Sequence, residues 1–248
     1  MRVQIELTTR CNFDCFYCAG RDMPQGDLSY EQCSRILRQH VQRYGVPQQV
    51  WLQGEGEPTL HPQFFELAAA VRALGSTSYT ITNGTHKHPE KFIEHFDVLG
   101  VSVDTLDEPT ARKIGRHNLP RVIDFIDAVR GGLRVNIHTV AIAADLPRIR
   151  QFCAQRGLRH VVQPLQPKPD YSYRYPQLPN TTRTRSGRFS CSYLSQPRMR
   201  YYALDGSELP CCFIKDTSAY QGLEAIHEIA GRGETPPQCQ GCVHGQQG

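Results

Sequence analysis

The first 163 residues alternate short apolar runs with longer amphipathic segments. Short apolar runs bounded by turn residues are typical of buried strands, and apolar residues spaced three and four apart are typical of helices. Strand–helix units repeated in this way predict an α/β fold with a parallel sheet and right-handed crossovers. The periodicity fits both a curled, partial barrel and an open, doubly wound sheet. The six predicted strands span residues 3–7, 50–53, 79–82, 98–103, 133–142 and 160–163.

The amphipathic segments between these strands contain local signals for helix ends. Ser29 is followed three residues later by Gln32, a pair that forms a capping box at a helix N-terminus. Gly75 follows the second helical segment, and glycine often ends a helix because it accepts a left-handed backbone. The predicted helices span residues 30–44, 64–74, 91–96, 121–129 and 148–156.

The chain changes character after the sixth strand. Prolines, tyrosines and arginines crowd residues 166–189, which predicts a linker that passes over the mouth of a strand–helix domain, 1–165. Five cysteines then fall within residues 190–248, around a hairpin-like segment at 201–210 and a short helix at 223–229. This last region is too short for an independent apolar core, so a bound metal is expected to hold it together.

The bulk properties are those of a globular protein with a modest net charge of +4. No apolar run approaches the roughly 20 residues needed to span a bilayer, and the N-terminus lacks the pattern of a secretory signal. We therefore expect a cytoplasmic protein without a membrane partner, in which thiols stay reduced. Its ten cysteines are then metal ligands, catalytic groups or buried residues rather than disulfides. No nucleic-acid-binding motif accompanies the arginines, so nucleic acid is not an expected partner.

Three cysteines, Cys11, Cys15 and Cys18, lie on a short loop directly after the first predicted strand. Thiolates are the ligands that iron–sulfur clusters and zinc prefer. A structural zinc site would require a fourth ligand nearby, and the nearest cysteine, Cys33, lies on a predicted helix. Three ligands leave one metal position open, which is the requirement for catalysis rather than for a closed structural site.

The C-x3-C-x2-C spacing, with the aromatic Tyr17 directly before the last cysteine, resembles the radical S-adenosylmethionine superfamily. The resemblance implies a partial (β/α)6 TIM-like barrel. It implies that Cys11, Cys15 and Cys18 bind three irons of a 4Fe–4S cluster, and that S-adenosylmethionine binds the fourth. Reductive cleavage of this cofactor gives a deoxyadenosyl radical that abstracts a hydrogen atom from the substrate. An external electron donor, such as flavodoxin or ferredoxin, is implied as a partner.

The resemblance extends to residues at the ends of the later strands. The segment Gly54-Glu55-Gly56-Glu57-Pro58 is similar to the family's Gly-Glu-Pro motif, which meets the methionine ammonium group. Here glycine lets backbone oxygens approach, and a carboxylate suits an ammonium. Asn136 and His138 on the fifth strand are further, weaker candidates for the same mouth. The implied cofactor-binding residues are Tyr17, Gly56, Glu57, Thr82, Asn83, Ser102, Asp104 and Gln163.

A second set of cysteines, Cys191, Cys211, Cys239 and Cys242, is a complete ligand set for zinc or for another 4Fe–4S cluster. Spacing does not separate these metals. The set resembles the SPASM extension of radical enzymes in its shortened, twitch form, which implies one auxiliary 4Fe–4S cluster. Cys212 is then surplus, and is either a catalytic hydrogen-atom donor or a packed small residue.

Within this subgroup the chain resembles aminocyclitol dehydrogenases and aminoglycoside epimerases. The resemblance implies a small polar substrate, a sugar or an aminocyclitol, that is oxidised or epimerised. The dehydrogenases carry a glutamate just after the hairpin cysteine, whereas this chain has Phe213 and Ile214. Two alternatives are open: modification of a peptide, and a non-enzymatic sensor or binding module stabilised by an iron–sulfur cluster or zinc. The linker supplies the candidate substrate contacts, Asp170, Tyr171, Tyr173 and Arg174.

Overall fold

A computed structural model of the chain describes residues 1–142, 145–176, 187–196, 198–218 and 220–247. Its main element is an eight-stranded sheet. Six strands follow one another in chain order across it, each parallel to the next, which confirms the predicted α/β fold. These strands are β1 (Arg2–Ile5), β2 (Gln49–Leu52), β3 (Thr77–Thr82), β4 (Val98–Ser102), β5 (Arg134–Val140) and β6 (Arg159–Gln163).

Helices connect the consecutive parallel strands. The predicted capping box is present, since the Ser29 side chain accepts from Gln32 N and the Gln32 side chain accepts from Ser29 N. Gly75 has a φ of +78° directly after the second helix, as its place predicted. One helix, capped by Asp107, was not predicted, because it is too short to show a helical period. The helices are α1 (Tyr30–Tyr44), α2 (Phe64–Ala73), α3 (Glu90–His95), α4 (Glu108–Lys113), α5 (Leu119–Val129) and α6 (Leu146–Arg156).

The sheet has an apolar face and a polar face, because successive side chains of a strand point to opposite sides. The apolar face packs on the helices and forms the main core, with Val3, Ile5, Val50, Leu52, Leu99, Val101 and Ile137 as its strand residues. The alternate positions on the other face are polar or aromatic and are still largely covered. They include Gln4, Trp51, Tyr79 and His138. A covered polar face is the expected interior of a barrel that holds a ligand.

The C-terminal region joins the main sheet. Strand β8 pairs with β1 in parallel, and β9 pairs with β8 in antiparallel fashion, so the predicted hairpin is present and turns at Gly206, whose φ is +85°. The contact with β1 was not predicted, because local patterns carry no information about a partner so distant in the chain. The remaining elements are α7 (Pro169–Ser172), β7 (Phe189–Cys191), α8 (Ser192–Ser195), β8 (Met199–Tyr202), β9 (Glu208–Leu209), α9 (Leu223–Gly231) and β10 (Gly245–Gln247).

A second, smaller core lies in this region, with Phe189, Leu194, Tyr201, Leu209, Ile214 and Ile226 as buried members. Strands β7 and β10 pair beside it and bring the end of the chain back to Cys191. The division into residues 1–165, 166–189 and 190–248 stays a prediction, and part of the predicted linker lies outside the described residues. Within the described part of the chain, no helix is both long and apolar enough to cross a bilayer.

Candidate functional site

The loop with Cys11, Cys15 and Cys18 is supported by the residues that follow α4. Asp14 N donates to Gly115 O at 3.3 Å, and the Cys15 thiol lies 3.5 Å from the same oxygen. Gly115 has a φ of +83°, and a Cβ there would lie 2.5 Å from Asp14 O and 2.7 Å from Cys15 N. Only glycine fits this position. The loop is therefore shaped by a barrel segment about a hundred residues later in the chain,.

The three thiols of this loop lie close enough to interact electrostatically. Burial and, to a smaller extent, Glu55, Cys15 and Cys11 together raise the pKa of Cys18 to about 12. Burial also raises the pKa of Cys15. Thiolates in such surroundings need a compensating cation, and a metal centre supplies one. An all-sulfur donor set of this kind fits an iron–sulfur cluster.

Tyr17 and Asp104, predicted as separate cofactor contacts, meet each other in the structure. The Tyr17 hydroxyl donates to Asp104, and Arg116 Nε donates to Asp104 and, at 3.0 Å, to the Tyr17 hydroxyl. The second Asp104 oxygen accepts Val140 N at 2.7 Å. Asp104 is buried, and both of its oxygens are bonded within the chain. These residues therefore tie the cysteine loop to the ends of β4 and β5. No sequence motif marked Arg116.

Glu57 fastens the Gly-Glu-Gly-Glu-Pro segment to the end of β3. Its buried carboxylate accepts from Thr82 Oγ1 at 2.6 Å, Asn83 N at 2.7 Å and Thr59 Oγ1 at 2.8 Å. Burial raises the pKa of Glu57, while these hydrogen bonds oppose the rise. Both oxygens are bonded within the chain, and the backbone carbonyls of the segment are further acceptors for a methionine ammonium. A direct contact between the Glu57 carboxylate and the cofactor stays a prediction.

Gly56 brings the same segment against the chain that enters the cysteine loop. Gly56 N donates to Thr8 O at 3.1 Å, and Glu57 N donates to Arg10 O at 2.8 Å. A Cβ on Gly56 would lie 2.5 Å from Thr8 O, so a side chain here would push the two segments apart.

The remaining predicted cofactor residues lie at different depths. Asn83 Nδ2 donates to Asn12 Oδ1 at 2.7 Å, which joins the Thr-Asn-Gly turn to the cysteine loop. Ser102 is half-buried at the end of β4 and lines a recess of about 250 Å³ together with Phe13 and Arg116. Gln163 is exposed at the end of β6, the edge strand of the sheet.

The second set of cysteines lines one recess of about 290 Å³. Cys191 comes from the end of β7, Cys211 follows β9, and Cys239 and Cys242 lie before β10. Burial raises the pKa of the Cys211 thiol, and the neighbouring thiols of Cys212, Cys239 and Cys242 raise it further. The structure thus brings the four predicted ligands together, with Cys211 rather than Cys212 at the recess. Lys168, Phe213 and His244 are also in its lining.

No three His, Cys, Asp or Glu side chains of the described residues converge closely enough to hold one metal ion. The ligands of a four-iron cluster bind different irons, so a multinuclear group does not require such convergence.

A buried junction separates the two cysteine sites. Lys215 forms an ion pair with Glu55 and donates to Cys212 O at 2.6 Å. Glu6 accepts Glu55 N at 2.9 Å and Leu204 N at 3.2 Å, so it joins the strand end to the hairpin. Burial lowers the pKa of Lys215, but Glu55, Tyr171, Tyr201 and Cys212 together outweigh it and raise that pKa well above its ordinary value. No sequence pattern had marked Lys215 or Glu6.

The four predicted substrate contacts are dispersed. Tyr171 lies at the junction, with Lys215 Nζ 5.7 Å from its ring centroid. Asp170 instead pairs with Lys168 at 3.1 Å, beside the second cysteine recess. Arg174 donates to the backbone oxygen of Phe16 at 3.1 Å in the first cysteine loop. Tyr173 is exposed and donates to Asp22 at 2.8 Å.

The sequence resembles known radical enzymes over more than half its length. The family model described as "Radical SAM superfamily" matches residues 5–143. A GTP 3',8-cyclase of Marinobacter nauticus is 30% identical over 169 residues, 62% of this chain and 50% of the relative. An S-adenosylmethionine-dependent nucleotide dehydratase of Flammeovirga pacifica is 29% identical over 161 residues, 58% of this chain and 54% of the relative. The chain spans about half the length of the curated relatives it matches.

Two solved structures share the fold. Streptococcus suis SuiB bound to S-adenosylmethionine has a TM-score of 0.69 at 16% identity, over 98% of this chain and 70% of SuiB. BtrN in complex with AdoMet and 2-DOIA has a TM-score of 0.55 at 13% identity, over 94% of this chain and 87% of BtrN. At these identities the likeness is one of architecture.

Proposed function

The chain belongs to the radical SAM superfamily, and we propose that it abstracts a hydrogen atom from a small polar metabolite, a sugar or an aminocyclitol, which is then epimerised or oxidised. Enzymes of this superfamily use a 4Fe–4S cluster and S-adenosylmethionine. When bound, these groups supply the deoxyadenosyl radical that removes the hydrogen atom.

We assign the catalytic cluster to the cysteine loop and a second cluster to the C-terminal recess. The loop is preformed and all-sulfur, and the recess is lined by four thiols. Glu57 and Asp104 are bonded within the chain, so we assign them to positioning the backbone around S-adenosylmethionine. The proposed ligands are Cys11, Cys15 and Cys18 for the first cluster and Cys191, Cys211, Cys239 and Cys242 for the second. The proposed cofactor contacts are Tyr17, Gly56, Thr82, Asn83, Ser102 and Gln163.

The location of Cys212 favours epimerisation over oxidation. Cys212 neighbours the recess ligand Cys211, but its electrostatic partners are Lys215 and Glu55 of the junction. Burial raises the pKa of Cys212, Lys215 opposes this rise and Glu55 adds to it, and the thiol stays protonated at neutral pH. A protonated thiol can return a hydrogen atom to a substrate radical. The resulting thiyl then needs one electron and one proton, and we propose that an external donor such as flavodoxin or ferredoxin supplies the electron.

Oxidation is the second candidate, and the recess is the observation that favours it. Cys191, Cys211, Cys239 and Cys242 would hold a cluster that supplies an acceptor for one electron, and the hydroxyl proton would leave to solvent. Lys215 is not suited to accept that proton, because its raised pKa keeps it charged.

The two outcomes differ in the isotope that the product carries. Reconstituted protein is incubated anaerobically with S-adenosylmethionine, dithionite and 2-deoxystreptamine or myo-inositol in D₂O. Epimerisation places one solvent deuterium at the inverted carbon, and Cys212→Ala abolishes this. Oxidation removes two hydrogens from the substrate, and the Cys212→Ala variant should still carry out this reaction. Cys33→Ala, a substitution of a buried cysteine on α1, is the matched control.

Peptide modification and a non-enzymatic role are tested in the same reactions. The chain's fold is also similar to that of SuiB bound to its precursor peptide SuiA, with a TM-score of 0.69 at 15% identity. Deoxyadenosine released only on addition of a peptide would move the proposal to that class. Absence of any S-adenosylmethionine cleavage by fully reconstituted protein would favour a sensor or binding module.

A further inference from the structure

The polar face of the sheet contains three buried polar atoms without a hydrogen-bond partner in the chain. They are Gln4 Oε1, Gln53 Oε1 and His138 Nδ1. The residues are 5%, 9% and 8% exposed, so bulk water does not reach them freely. A buried polar atom that lacks a partner costs about 1–3 kcal/mol. Atoms of this kind gathered on one face indicate a place where a ligand completes the bonding.

A continuous set of contacts joins the three residues. Gln4 Nε2 donates to Gln53 O at 3.3 Å, and Gln4 is the register partner of Trp51 on β2. Trp51 packs on Tyr79, with 4.4 Å between the ring centroids. The Tyr79 hydroxyl is 2.7 Å from His138 Nε2. The three residues therefore lie along one row that runs from β1, past the aromatic pair on β2 and β3, to His138 on β5.

Gly100 on β4 makes room for this arrangement. A Cβ at Gly100 would lie 2.9 Å from the Tyr79 hydroxyl and 2.9 Å from His138 Cδ2. Any side chain here would separate the tyrosine from the histidine across the intervening strand.

The unpartnered atoms also limit the chemistry of the ligand. The orientation of the Gln4 amide is set by its Nε2 bond to Gln53 O, so the free atom of Gln4 is an acceptor. Burial lowers the pKa of His138 to about 4, and its imidazole is neutral at physiological pH. An ionised phosphate or carboxylate has only acceptor atoms and cannot hydrogen-bond to an amide oxygen. Hydroxyl and amino groups are donors and can do so. The flat Trp51–Tyr79 pair suits the C–H face of a saturated ring.

We propose that Gln4, Gln53 and His138 bind hydroxyl or amino groups of a polyhydroxylated ring that packs against Trp51. The inference rests on the proposed function and deepens it, because it names the recognition residues and the substrate class. It separates this chain from enzymes that act on nucleoside triphosphates, to which its sequence relatives belong by name.

The test uses the single tryptophan of the chain as a reporter. Emission of Trp51 is followed in reconstituted protein with S-adenosylmethionine while 2-deoxystreptamine, myo-inositol or GTP is added. We expect saturable changes with at least one polyhydroxylated ring and none with GTP. Gln4→Leu and Gln53→Leu should weaken the binding of that ring about tenfold or more. Gln42→Leu, on the exposed side of α1, should bind it as the parent does.

A second readout needs no ligand. If Gln53 Oε1 lacks a partner, Gln53→Leu keeps or raises the melting temperature, because the substitution removes an unpaired buried acceptor. A lower melting temperature for Gln53→Leu than for Gln42→Leu means that an ordered water or the chain already satisfies this oxygen, and overturns the inference. A saturable change in Trp51 emission with GTP, or no change with any polyhydroxylated ring, also overturns the inference. Cleavage of S-adenosylmethionine by the parent protein, measured as deoxyadenosine, tests the proposed function separately.

Discussion

The two cysteine sites are built in different ways. Cys11, Cys15 and Cys18 lie on one loop whose backbone is bonded to Ile114 and Gly115, residues that belong to the strand–helix part of the chain. The four cysteines of the C-terminal recess come from separate segments, and those segments pack on a small core. The first site is therefore shaped by a fold with a large apolar core. The second has much less support, so the cluster that we propose there should contribute to folding as well as to chemistry.

The charges around the two sites differ as well. Near the first site, the cation Arg116 is paired with Asp104, and Glu55 raises the pKa of Cys18. At the second site, burial raises the pKa of Cys239 to about 12, while Lys168 in the recess lining opposes the rise. The thiols of the first site thus meet a cation at Cys15 and a carboxylate at Cys18, whereas Lys168 acts on both Cys239 and Cys242 at the second site. This difference should separate the reduction potentials of the two proposed clusters.

Loss of the first site should have the largest effect. Replacing Cys11, Cys15 and Cys18 by alanine should abolish S-adenosylmethionine cleavage and lower the iron content from about eight to about four per chain. The C-terminal region should stay folded, because its core does not depend on the loop. Iron and sulfide analysis after anaerobic reconstitution, together with deoxyadenosine release, measures both effects.

Cys33→Ala is the control for this experiment. Cys33 is buried on α1, so its substitution should leave the iron content unchanged. A parent protein that binds only about four irons, all lost in the triple variant, would contradict a second cluster.

Loss of the second site should change folding more than cofactor binding. Replacing Cys239 and Cys242 by serine removes the ligands that connect the end of the chain to Cys191. Hydrogen exchange should then accelerate in β7, β10 and α9, while the strands β1–β6 keep their protection. Iron should fall by about half. Unchanged exchange in the C-terminal region would show that its apolar core is sufficient without metal.

Arg116 tests whether the first site depends on its buried ion pair. Arg116→Met leaves Asp104 buried without its cation, and breaking such a pair costs about 3–5 kcal/mol. We expect a lower free energy of unfolding and a weakened first cluster, because the Tyr17 hydroxyl loses one of its hydrogen-bond partners. Arg112→Met is the matched control, as Arg112 forms an exposed pair with Glu108, worth about 0.3–0.5 kcal/mol. Equal effects of both substitutions would contradict the role of the buried pair.

Sequence patterns over a few residues were sufficient to predict most helices and strands of the strand–helix part. The capping box at Ser29 and the turn at Gly75 are encoded within a few residues, and both are present. Helix α4 and the parallel contact of β8 with β1 were missed, the former for its shortness and the latter because its partner is remote in sequence.

The candidate sites were predictable in their cysteines but not in the groups around them. Cysteine spacing is a motif, whereas Gly115, Arg116 and Lys215 act through contacts with residues far from them in the chain. The same limit applies to Asp170, which was predicted from its place in the linker as a substrate contact. Its ion pair with Lys168 spans only two residues, but Asp170 also accepts Lys215 N at 3.3 Å, and that donor lies 45 residues away in the chain.

The Lys168–Asp170 ion pair provides the smallest expected effect, a change in the reduction potential of one proposed cluster and not the other. Lys168→Met removes a positive charge from the lining of the second recess, so the midpoint potential of the second cluster should become more negative. Asp170→Asn should shift it the opposite way, because it leaves the Lys168 charge uncompensated. Lys168→Arg keeps the charge and serves as the control. Redox titrations followed by electron paramagnetic resonance should find the first cluster unchanged in all three variants. Equal shifts at both clusters would mean that the charge difference between the two sites does not set their potentials.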